Sequence, residues 1–436
     1  MSLRYSLIGC LVCCGWGCNN IEDAKPSERK TFIRFYEAAH NLYGVAAEPT
    51  KGGGFIILGN ETLANGNQNS ILIQTDKNGE KTTADILLPG GYSKSLKVAD
   101  DGYYIIGDSI KSNLQSNDVP VADLIVYAAR LFKISLTGTL VNKLVIADRT
   151  NTSNMTDFHG GAVTLNGNGD VIILGTFKTV GITTNERPYI VALDPLTLDT
   201  LWSKPYDAID RDYVNSKSLH ITTTGRVIWA SALLKENQNF SRSYLSIPYI
   251  KENSTFENFS QYGETTDQQL YSNDIQPAES SAFGFGVIGT YASPTGGDGN
   301  LFFIRVDQYG NIITGSERFF DGESLGNTNE AVAADVSSSD DMGDAITATQ
   351  DGGFILAGSM TTTPNRGNGG KDILLIKVDG QGSVLWNKVI GGAGDETVNS
   401  IRETDDGSLL LCGSNNLSGL SSIFLMKTDK DGALKN

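Results

Sequence analysis

The chain has 436 residues, of which 49 are Gly and 11 are Pro, and 19% of the residues are charged. Its 34 basic and 50 acidic residues give a formal charge of −16 at pH 7. Contacts with phosphate groups need clustered Lys and Arg, which this sequence lacks, so we predict no nucleic-acid partner. The length excludes a small disulfide-stapled module, and the Gly excess with ordinary Pro indicates many tight turns rather than disorder.

The first 18 residues have the pattern of an export signal. Arg4 precedes a short apolar stretch over 7–12, which is too short to span a bilayer as a helix. Four of the five cysteines lie in this segment, at positions 10, 13, 14 and 18. The pattern resembles a bacterial lipoprotein signal, and this resemblance implies lipidation of Cys18, which follows the small residue Gly17. Lipidation at a nearby Cys and an ordinary cleaved signal are the alternatives. We predict a signal peptide over 1–17 and a lipidated Cys with a flexible tether over 18–30, giving a lipid anchor.

One unit recurs seven times in the remaining chain, and such repeats decide the fold. In every unit an apolar run ends in a small residue, and a second apolar run follows. The closing residues are Gly59, Gly107, Gly175, Ala230, Gly289, Gly358 and Gly413.

Each unit predicts four strands in chain order. A short first strand leads through a Gly-containing turn to a second strand of near-continuous apolar character, which is typical of a strand buried on both faces. A variable loop precedes the third strand, and an Asp-x-x-Gly type I turn leads to the fourth. That turn is complete at 76–79, 307–310, 379–382 and 429–432. The units predict an all-β, seven-bladed β-propeller of four-stranded antiparallel blades. A solenoid of stacked hairpins is the alternative.

The two chain ends are predicted to close the ring. The last unit has only a short fourth strand over 433–436, and residues 30–36 form a strand without a unit of its own. Pairing of these N- and C-terminal strands completes the seventh blade and leaves no open edge. Length alone favours two or three domains, but the repeats indicate one propeller over 31–436.

The most regular units also resemble a known repeat. The segment 351–359 (Asp-Gly-Gly-Phe-Ile-Leu-Ala-Gly-Ser), followed by Gly382, Trp386 and the stretch 391–396, resembles a propeller repeat common in Bacteroidota lipoproteins. The resemblance is close over 341–436 and looser over 45–340. It implies a propeller at the cell surface or outer membrane, and it implies no activity. A single segment, 192–202, resembles the tryptophan-docking repeat of quinoprotein dehydrogenases but has Leu198 in place of Gly, so we predict no cofactor.

Binding is predicted on one rim of the ring. The turns between first and second and between third and fourth strands are short and share a rim, because antiparallel strands reverse at each turn. The long loops, at 108–127, 176–188, 231–243, 290–300, 314–345 and 359–371, share the opposite rim, here called the long-loop rim. Variable loops on a rigid scaffold commonly carry binding sites.

Six residues are the predicted binding candidates. Exposed aromatic anchors are expected at Tyr213, Tyr291, Phe319 and Phe320; packing between blades is the alternative. Asp344 and Asp395, in matched Gly-Asp positions before a first strand, are expected near the central channel, where they could bind a cation or sugar hydroxyls. Capping of a turn is the alternative for both.

No catalytic or metal-binding residue is predicted. Only His40, His159 and His220 are available, and no third ligand stands at a recognisable metal spacing, although His159 and His220 could line the channel. Cys412 occupies a position that is apolar in sister units and is predicted to be an inert core residue.

The sequence favours a non-enzymatic outer-membrane lipoprotein, at the cell surface or facing the periplasm. It is expected to bind a protein or a glycan, as a binding or scaffold module or as an accessory subunit of an outer-membrane complex. A carbohydrate-active hydrolase with carboxylates in the channel and a periplasmic scaffold for outer-membrane protein assembly are the alternatives.

Overall fold

A computed structural model describes residues 30–111, 126–146, 156–179, 186–206, 212–214, 218–237, 240–251, 256–263, 269–279, 284–292, 299–322, 340–363, 366–417 and 419–435. Throughout these ranges the regular structure is β-strand, and no helix in them is long and apolar enough to span a membrane. Residues 1–29, including Cys18, lie outside the described part of the chain.

The strands form seven antiparallel sheets, which are the blades of a seven-bladed β-propeller. Blade 1 contains β2 (Asn41–Pro49), β3 (Phe55–Thr62), β4 (Gln68–Thr75) and β5 (Ile86–Pro89). Blade 2 contains β6 (Tyr92–Ala99), β7 (Gly102–Lys111), β8 (Val126–Ser135) and β9 (Leu140–Ile146). Blade 3 contains β10 (Thr156–Leu165), β11 (Val171–Thr179), β12 (Arg187–Leu193) and β13 (Thr200–Pro205). Blade 5 contains β20 (Gln269–Pro277), β21 (Phe285–Ala292), β22 (Asn300–Val306) and β23 (Arg318–Phe320). Blade 6 contains β24 (Asp341–Ala348), β25 (Phe354–Thr363), β26 (Arg366–Val378) and β27 (Val384–Ile390).

Blade 4 keeps four strand positions, but its two inner positions are interrupted. The first is shared by β14 (Asp212–Val214) and β15 (Leu219–Ile221), and the second by β16 (Arg226–Trp229) and β17 (Ser231–Asn237). The outer positions are β18 (Phe240–Lys251) and β19 (Phe256–Tyr262). The interruption in the second position falls at Ala230, the one unit marker that is not Gly.

The ring closes by pairing of the N-terminal strand with the C-terminal unit, as predicted, but residues 433–435 form no strand and the N-terminal strand alone takes the fourth position of blade 7. Blade 7 contains β28 (Glu396–Glu403), β29 (Leu409–Asn415) and β30 (Ser422–Thr428), and its outermost strand is the N-terminal β1 (Phe32–Tyr36). β1 pairs with β30 in antiparallel register, with Phe32 opposite Lys427 and Tyr36 opposite Ile423. The Tyr36 hydroxyl also donates a 2.7 Å hydrogen bond to the carbonyl of Gly79 in blade 1. The backbone pairing therefore completes blade 7, and the Tyr36 side chain links the completed blade to blade 1.

The hydrophobic core lies between blades. Seven large apolar clusters are found in the described residues, and each joins two neighbouring blades around the ring. The second strands supply both of their faces: in β3, Phe55 and Ile57 pack toward blade 7, whereas Ile56 and Leu58 pack toward blade 2. This confirms the prediction that the near-continuous apolar runs are buried on both faces.

A β-bulge in the first strand explains why the apolar runs end in Gly. The register between first and second strands shifts by one residue in six blades of the described structure. Opposite the bulge the first-strand carbonyl approaches closely: a Cβ on Gly358 would lie 1.9 Å from the carbonyl oxygen of Met342, and one on Gly413 would lie 1.9 Å from that of Thr397. The described pairs of blade 4, which has Ala230 here, show no such shift. The bulge inserts one extra residue into the strand nearest the ring axis.

Candidate functional site

A cavity of about 880 Å³ lies at the ring axis and is lined by residues from all seven blades. The extra residue of each first-strand bulge contributes to its wall. These residues are Val45, Lys94, Gly161, Asn273, Asp344 and Asn399. The same backbone feature that places Gly in the second strand therefore builds the channel wall.

Some of these bulge residues tie neighbouring blades together. The Asn399 side chain donates to the carbonyl of Gly44 at 2.9 Å, which links blade 7 to blade 1. The Asn273 side chain donates to the carbonyl of Gly343 at 2.6 Å, which links blade 5 to blade 6. Their amide nitrogens are thus used by the scaffold.

At the end of the cavity nearest the long-loop rim lies a polar and aromatic set of side chains, here called the mouth group. Its members come from the strand ends of blades 1 to 3 and are Tyr43, Tyr92, Lys94, His159, Lys178 and Glu186. Tyr43 is 43% exposed and lines the cavity. In β11, Thr176 lies directly opposite His159, and Lys178 stands two residues farther along the same face. The Thr176 hydroxyl donates to the Glu186 carboxylate at 3.0 Å.

The mouth group is organised around Asp108, a fully buried carboxylate at the end of the second strand of blade 2. Its Oδ2 accepts hydrogen bonds from the Tyr92 hydroxyl at 3.0 Å, the Lys94 ammonium at 2.9 Å and His159 Nδ1 at 2.8 Å. Its Oδ1 accepts from the backbone N–H of Gly160 at 2.7 Å. Burial acts to raise the pKa of Asp108, but these donors outweigh it, above all His159 and Lys94, and lower the pKa below its ordinary value. Asp108 is therefore an ionised acceptor.

The opposite end of the cavity, nearest the short turns, carries a second charged set. Arg402 Nε donates to Glu48 Oε1 at 2.7 Å, and Lys97 lies on the same wall. Between the two ends, burial raises the pKa of Asp274, whose Oδ2 accepts from the backbone N–H of Ile346 at 3.1 Å. Burial also lowers the pKa of His220 to about 4, and its Nε2 lies 2.6 Å from the carbonyl of Ile275, to which it must donate.

Two of the predicted aromatic anchors are buried, and a third, Phe319, is partly buried. Tyr291 is 7% exposed and Phe320 is 2% exposed, and both belong to clusters between blades. Phe319 packs against Tyr291, with ring centroids 5.1 Å apart. The expectation of exposed rings is therefore wrong for Tyr291 and Phe320, because each ring lies on a sheet face that is covered by a neighbouring blade. The backbone of Tyr213 lies in β14, and its side chain is outside the described part of the structure.

Asp344 and Asp395 do not occupy matched positions, contrary to the prediction. The strand register aligns Gly343 with Val398, so Asp344 corresponds to Asn399 and Asp395 corresponds to Asp340. Asp344 is half-buried and lines the cavity, as expected, whereas Asp395 is exposed at the start of the first strand of blade 7.

Asp395 belongs to a repeated contact between blades. Its Oδ1 accepts the backbone N–H of Lys371 at 3.0 Å, from the third strand of the preceding blade. The equivalent side chains in blades 1, 3 and 6 accept the corresponding N–H groups, in the pairs Asn41 with Ser421, Asp157 with Tyr127, and Asp340 with Gly299. This contact explains the acidic residue at that position without a ligand.

Sequence reasoning identified His159 as a channel candidate but missed its partner. Asp108 lies 51 residues away in the chain, at the end of an apolar run that carries no motif. Tyr43 was likewise missed, because nothing in the sequence distinguishes its ring from those that pack between blades. In the part of the chain that the structure describes, no three His, Cys, Asp or Glu side chains form a group that could hold a metal ion.

No protein-family model matches the chain. No curated protein matches it either. Among solved structures it is similar to a protein of unknown function from Dyadobacter fermentans, with 11% identity, a TM-score of 0.46, and coverage of 91% of this chain and 98% of the other. YCF48 from Cyanidioschyzon merolae gives the same four values. A Trypanosoma rangeli sialidase has 10% identity and a TM-score of 0.42 over 92% of this chain, which matches only 58% of the sialidase. At these identities the likeness concerns the propeller fold alone.

Proposed function

We propose that this propeller is a non-enzymatic binding protein that holds a short glycan in its axial cavity, entered from the long-loop rim. The observation that carries the proposal is the mouth group: an exposed tyrosine beside hydrogen-bond donors and acceptors at the end of a cavity of about 880 Å³. Cavities of several hundred Å³ accommodate small ligands. A ring face beside polar groups suits a sugar, which has apolar C–H faces and hydroxyl edges.

The size of the cavity favours a glycan over a protein partner. A specific protein interface covers about 800 Å² on each partner and is anchored by buried aromatic residues in a patch. The aromatic residues expected to form such a patch, Tyr291 and Phe320, are instead used between blades.

The hydrolase alternative is not favoured by the carboxylates at the axis. Besides Asp344, three described carboxylates line the cavity, and all three are held by contacts with the scaffold, among them Glu186 with the Thr176 hydroxyl. Glu48 is paired with Arg402, and Asp274 accepts a hydrogen bond from the backbone of the next blade. These contacts give all three acids a structural role, and we therefore do not propose glycoside hydrolysis.

The proposal includes an outer-membrane location through a lipid on Cys18. Its support is the sequence pattern of an apolar stretch followed by Gly17-Cys18. Metabolic labelling with an alkyne fatty acid should mark the wild-type chain and leave C18A unlabelled. Equal labelling of C18A would contradict the assignment of Cys18.

The binding proposal is tested with an array of neutral, N-acetylated and uronate-containing oligosaccharides. Val45 is a bulge residue on the channel wall, so V45W should fill the channel and abolish the binding seen with the wild-type protein. Val141 is 55% exposed on the outer strand of blade 2, so V141W makes the same substitution away from the cavity and should bind normally. Absence of glycan binding by the folded wild-type protein, or equal binding by V45W, would refute the proposal.

A further inference from the structure

The orientation of the His159 imidazole is fixed by its surroundings. Its Nδ1 lies 2.8 Å from Oδ2 of Asp108, and an ionised carboxylate can only accept, so Nδ1 must carry a proton. The ring also packs against Tyr127, with centroids 4.8 Å apart. Hydrogen bonding to one nitrogen of an imidazole thus sets the role of the other.

The second nitrogen of His159 faces a different environment. The side chain is 19% exposed and lines the cavity, and within the described residues Nε2 has no hydrogen-bond partner. In the neutral ring with a proton on Nδ1, Nε2 carries a lone pair and is an acceptor. The neutral ring therefore presents an oriented acceptor at the channel mouth.

We propose that His159 is the residue that recognises the ligand at the channel mouth, where Nε2 accepts a hydrogen bond from a hydroxyl group of the bound glycan. Asp108 is its positioning residue, because it fixes the tautomer without reaching the cavity. This inference rests on the proposed function and specifies the ligand class: a glycan that offers a neutral hydroxyl at this position.

The charges around the imidazole favour a neutral hydroxyl over an anionic group. At the mouth end of the elements packed around it, the charged side chains are the cations Lys94, Arg130 and Lys178 and the carboxylates Asp108, Asp157 and Glu186. Farther along the same elements, β6 carries Lys97 and β8 carries Lys133, which is paired with Asp101. Three positive and three negative charges at the mouth end leave no excess to attract a carboxylate or phosphate. An anionic oxygen would also meet the lone pair of Nε2, whereas a hydroxyl can donate to it.

His220 provides an internal reference for this tautomer. Its Nε2 donates to the carbonyl of Ile275, so its neutral ring is protonated on Nε2, whereas that of His159 is protonated on Nδ1. Only three histidines are present, so their signals can be assigned in protein labelled with ¹⁵N-histidine. At pH 8 the nitrogen shifts should show His159 protonated on Nδ1 and His220 protonated on Nε2. In D108N the His159 signals should change and those of His220 should not; a wild-type His159 protonated on Nε2 would overturn the proposal.

Binding is then measured with the oligosaccharide that the array selects, by calorimetry at pH 8. H159F removes the acceptor but keeps a flat ring, and it should weaken binding about tenfold or more, since a lost hydrogen bond of about 1.5 kcal/mol corresponds to about that factor. H159Q can place an amide oxygen near the Nε2 position and should stay within about threefold of wild type. K430Q, at an exposed turn residue of blade 7 outside the cavity lining, is the control and should also stay within about threefold.

The comparison of H159F with H159Q provides a readout that a packing role would not give. Both variants fill the space of the imidazole, but only H159Q offers an acceptor, so only H159Q should keep the affinity of the wild-type protein. If the wild type binds the oligosaccharide and H159F binds equally well, this inference is wrong and the proposed function stands. If the wild-type protein binds no oligosaccharide, both are wrong.

Discussion

Gly310 closes one of the Asp-x-x-Gly turns and lies against a neighbouring blade. A substitution at this position therefore measures how much the contact between blades contributes to the free energy of unfolding. Gly310 has φ +80°, and a Cβ built on it would lie 2.7 Å from Cβ of Tyr249, a buried residue in the third strand of blade 4. The turn is capped by Asp307, whose Oδ1 accepts from the backbone N–H groups of Tyr309 and Asn311. An added methyl group would therefore meet both backbone strain and a neighbouring blade.

Gly169 provides a matched control. Its φ is +88°, and a Cβ there would have nothing within 4 Å. Its turn has the same cap, because Asn166 Oδ1 accepts from the backbone N–H groups of Asn168 and Asp170. The loss of stability in G169A therefore measures the cost of the left-handed backbone alone, whereas the loss in G310A also includes the contact with Tyr249.

The two effects have different magnitudes. A left-handed residue other than Gly costs about 1–2 kcal/mol, so G169A should lower the free energy of unfolding by about 1 kcal/mol. Overpacking adds about 1–3 kcal/mol, so G310A should lower it by about 2–4 kcal/mol. The contact is with Cβ of Tyr249, next to the backbone, and a change of rotamer cannot move that atom away.

The assay is equilibrium unfolding in urea, followed by both tryptophan fluorescence and circular dichroism. Coincident transitions would justify comparing free energies between variants. Equal losses for G310A and G169A would refute the reasoning, because the difference between them is attributed wholly to the contact between blades. In a Y249A background G310A should keep part of its cost, since Cβ of residue 249 remains although Cγ and Cδ2 are removed.

Three further predictions concern single buried groups. Y36F removes the hydroxyl that donates to the carbonyl of Gly79 and should lower the free energy of unfolding, measured in urea, by about 1 kcal/mol. Y43F, at an exposed residue, is the control and should cause no loss. Equal losses for the two variants would contradict a role for the Tyr36 hydroxyl. Burial lowers the pKa of His220 to about 4, below the unfolded value of about 6.5, so stability from this group is present above pH 6.5 and falls toward pH 4. Between pH 7.5 and pH 5, H220Q should lose about 2 kcal/mol less than wild type; parallel pH curves would exclude this. Burial raises the pKa of the Cys412 thiol to about 12, so iodoacetamide should alkylate it only in denaturant, as checked by peptide mass mapping.

The sequence predicts the blades well because the interactions that form each turn and strand involve residues close together in the chain. A type I turn capped by Asp and an apolar run of strand length are decided within about ten residues, and each recurs with the same meaning. Even the closure of the ring by β1 follows from counting strands. Blade 4 is the exception in detail: Ala230 stands where the other units have Gly, and its inner strands are interrupted at or near that position.

The candidate site is less predictable because it depends on contacts between blades. Tyr291 and Phe320 stand beside long loops in the sequence, but whether their rings face solvent or the next blade depends on which side of a strand they occupy. Asp344 and Asp395 both follow Gly, and one extra residue in a bulge places Asp344 on the channel wall, whereas Asp395 lies at the strand start. A local pattern cannot separate these cases.

The glycines that mark the repeats nevertheless carry information about the site. Gly closes a second strand where the first-strand carbonyl comes too near for a Cβ, as at Gly358, and this approach accompanies the bulge. The bulge in turn gives the channel its extra residue, which in blade 2 is Lys94, beside Asp108. In blade 6, for example, Gly343 pairs with the marker Gly358 and Ala345 pairs with the residue before it, so the unpaired Asp344 between them is the residue on the channel wall. Applied to the unit markers, this pattern predicts channel-lining residues from sequence, and the chemistry of those residues then narrows the ligand.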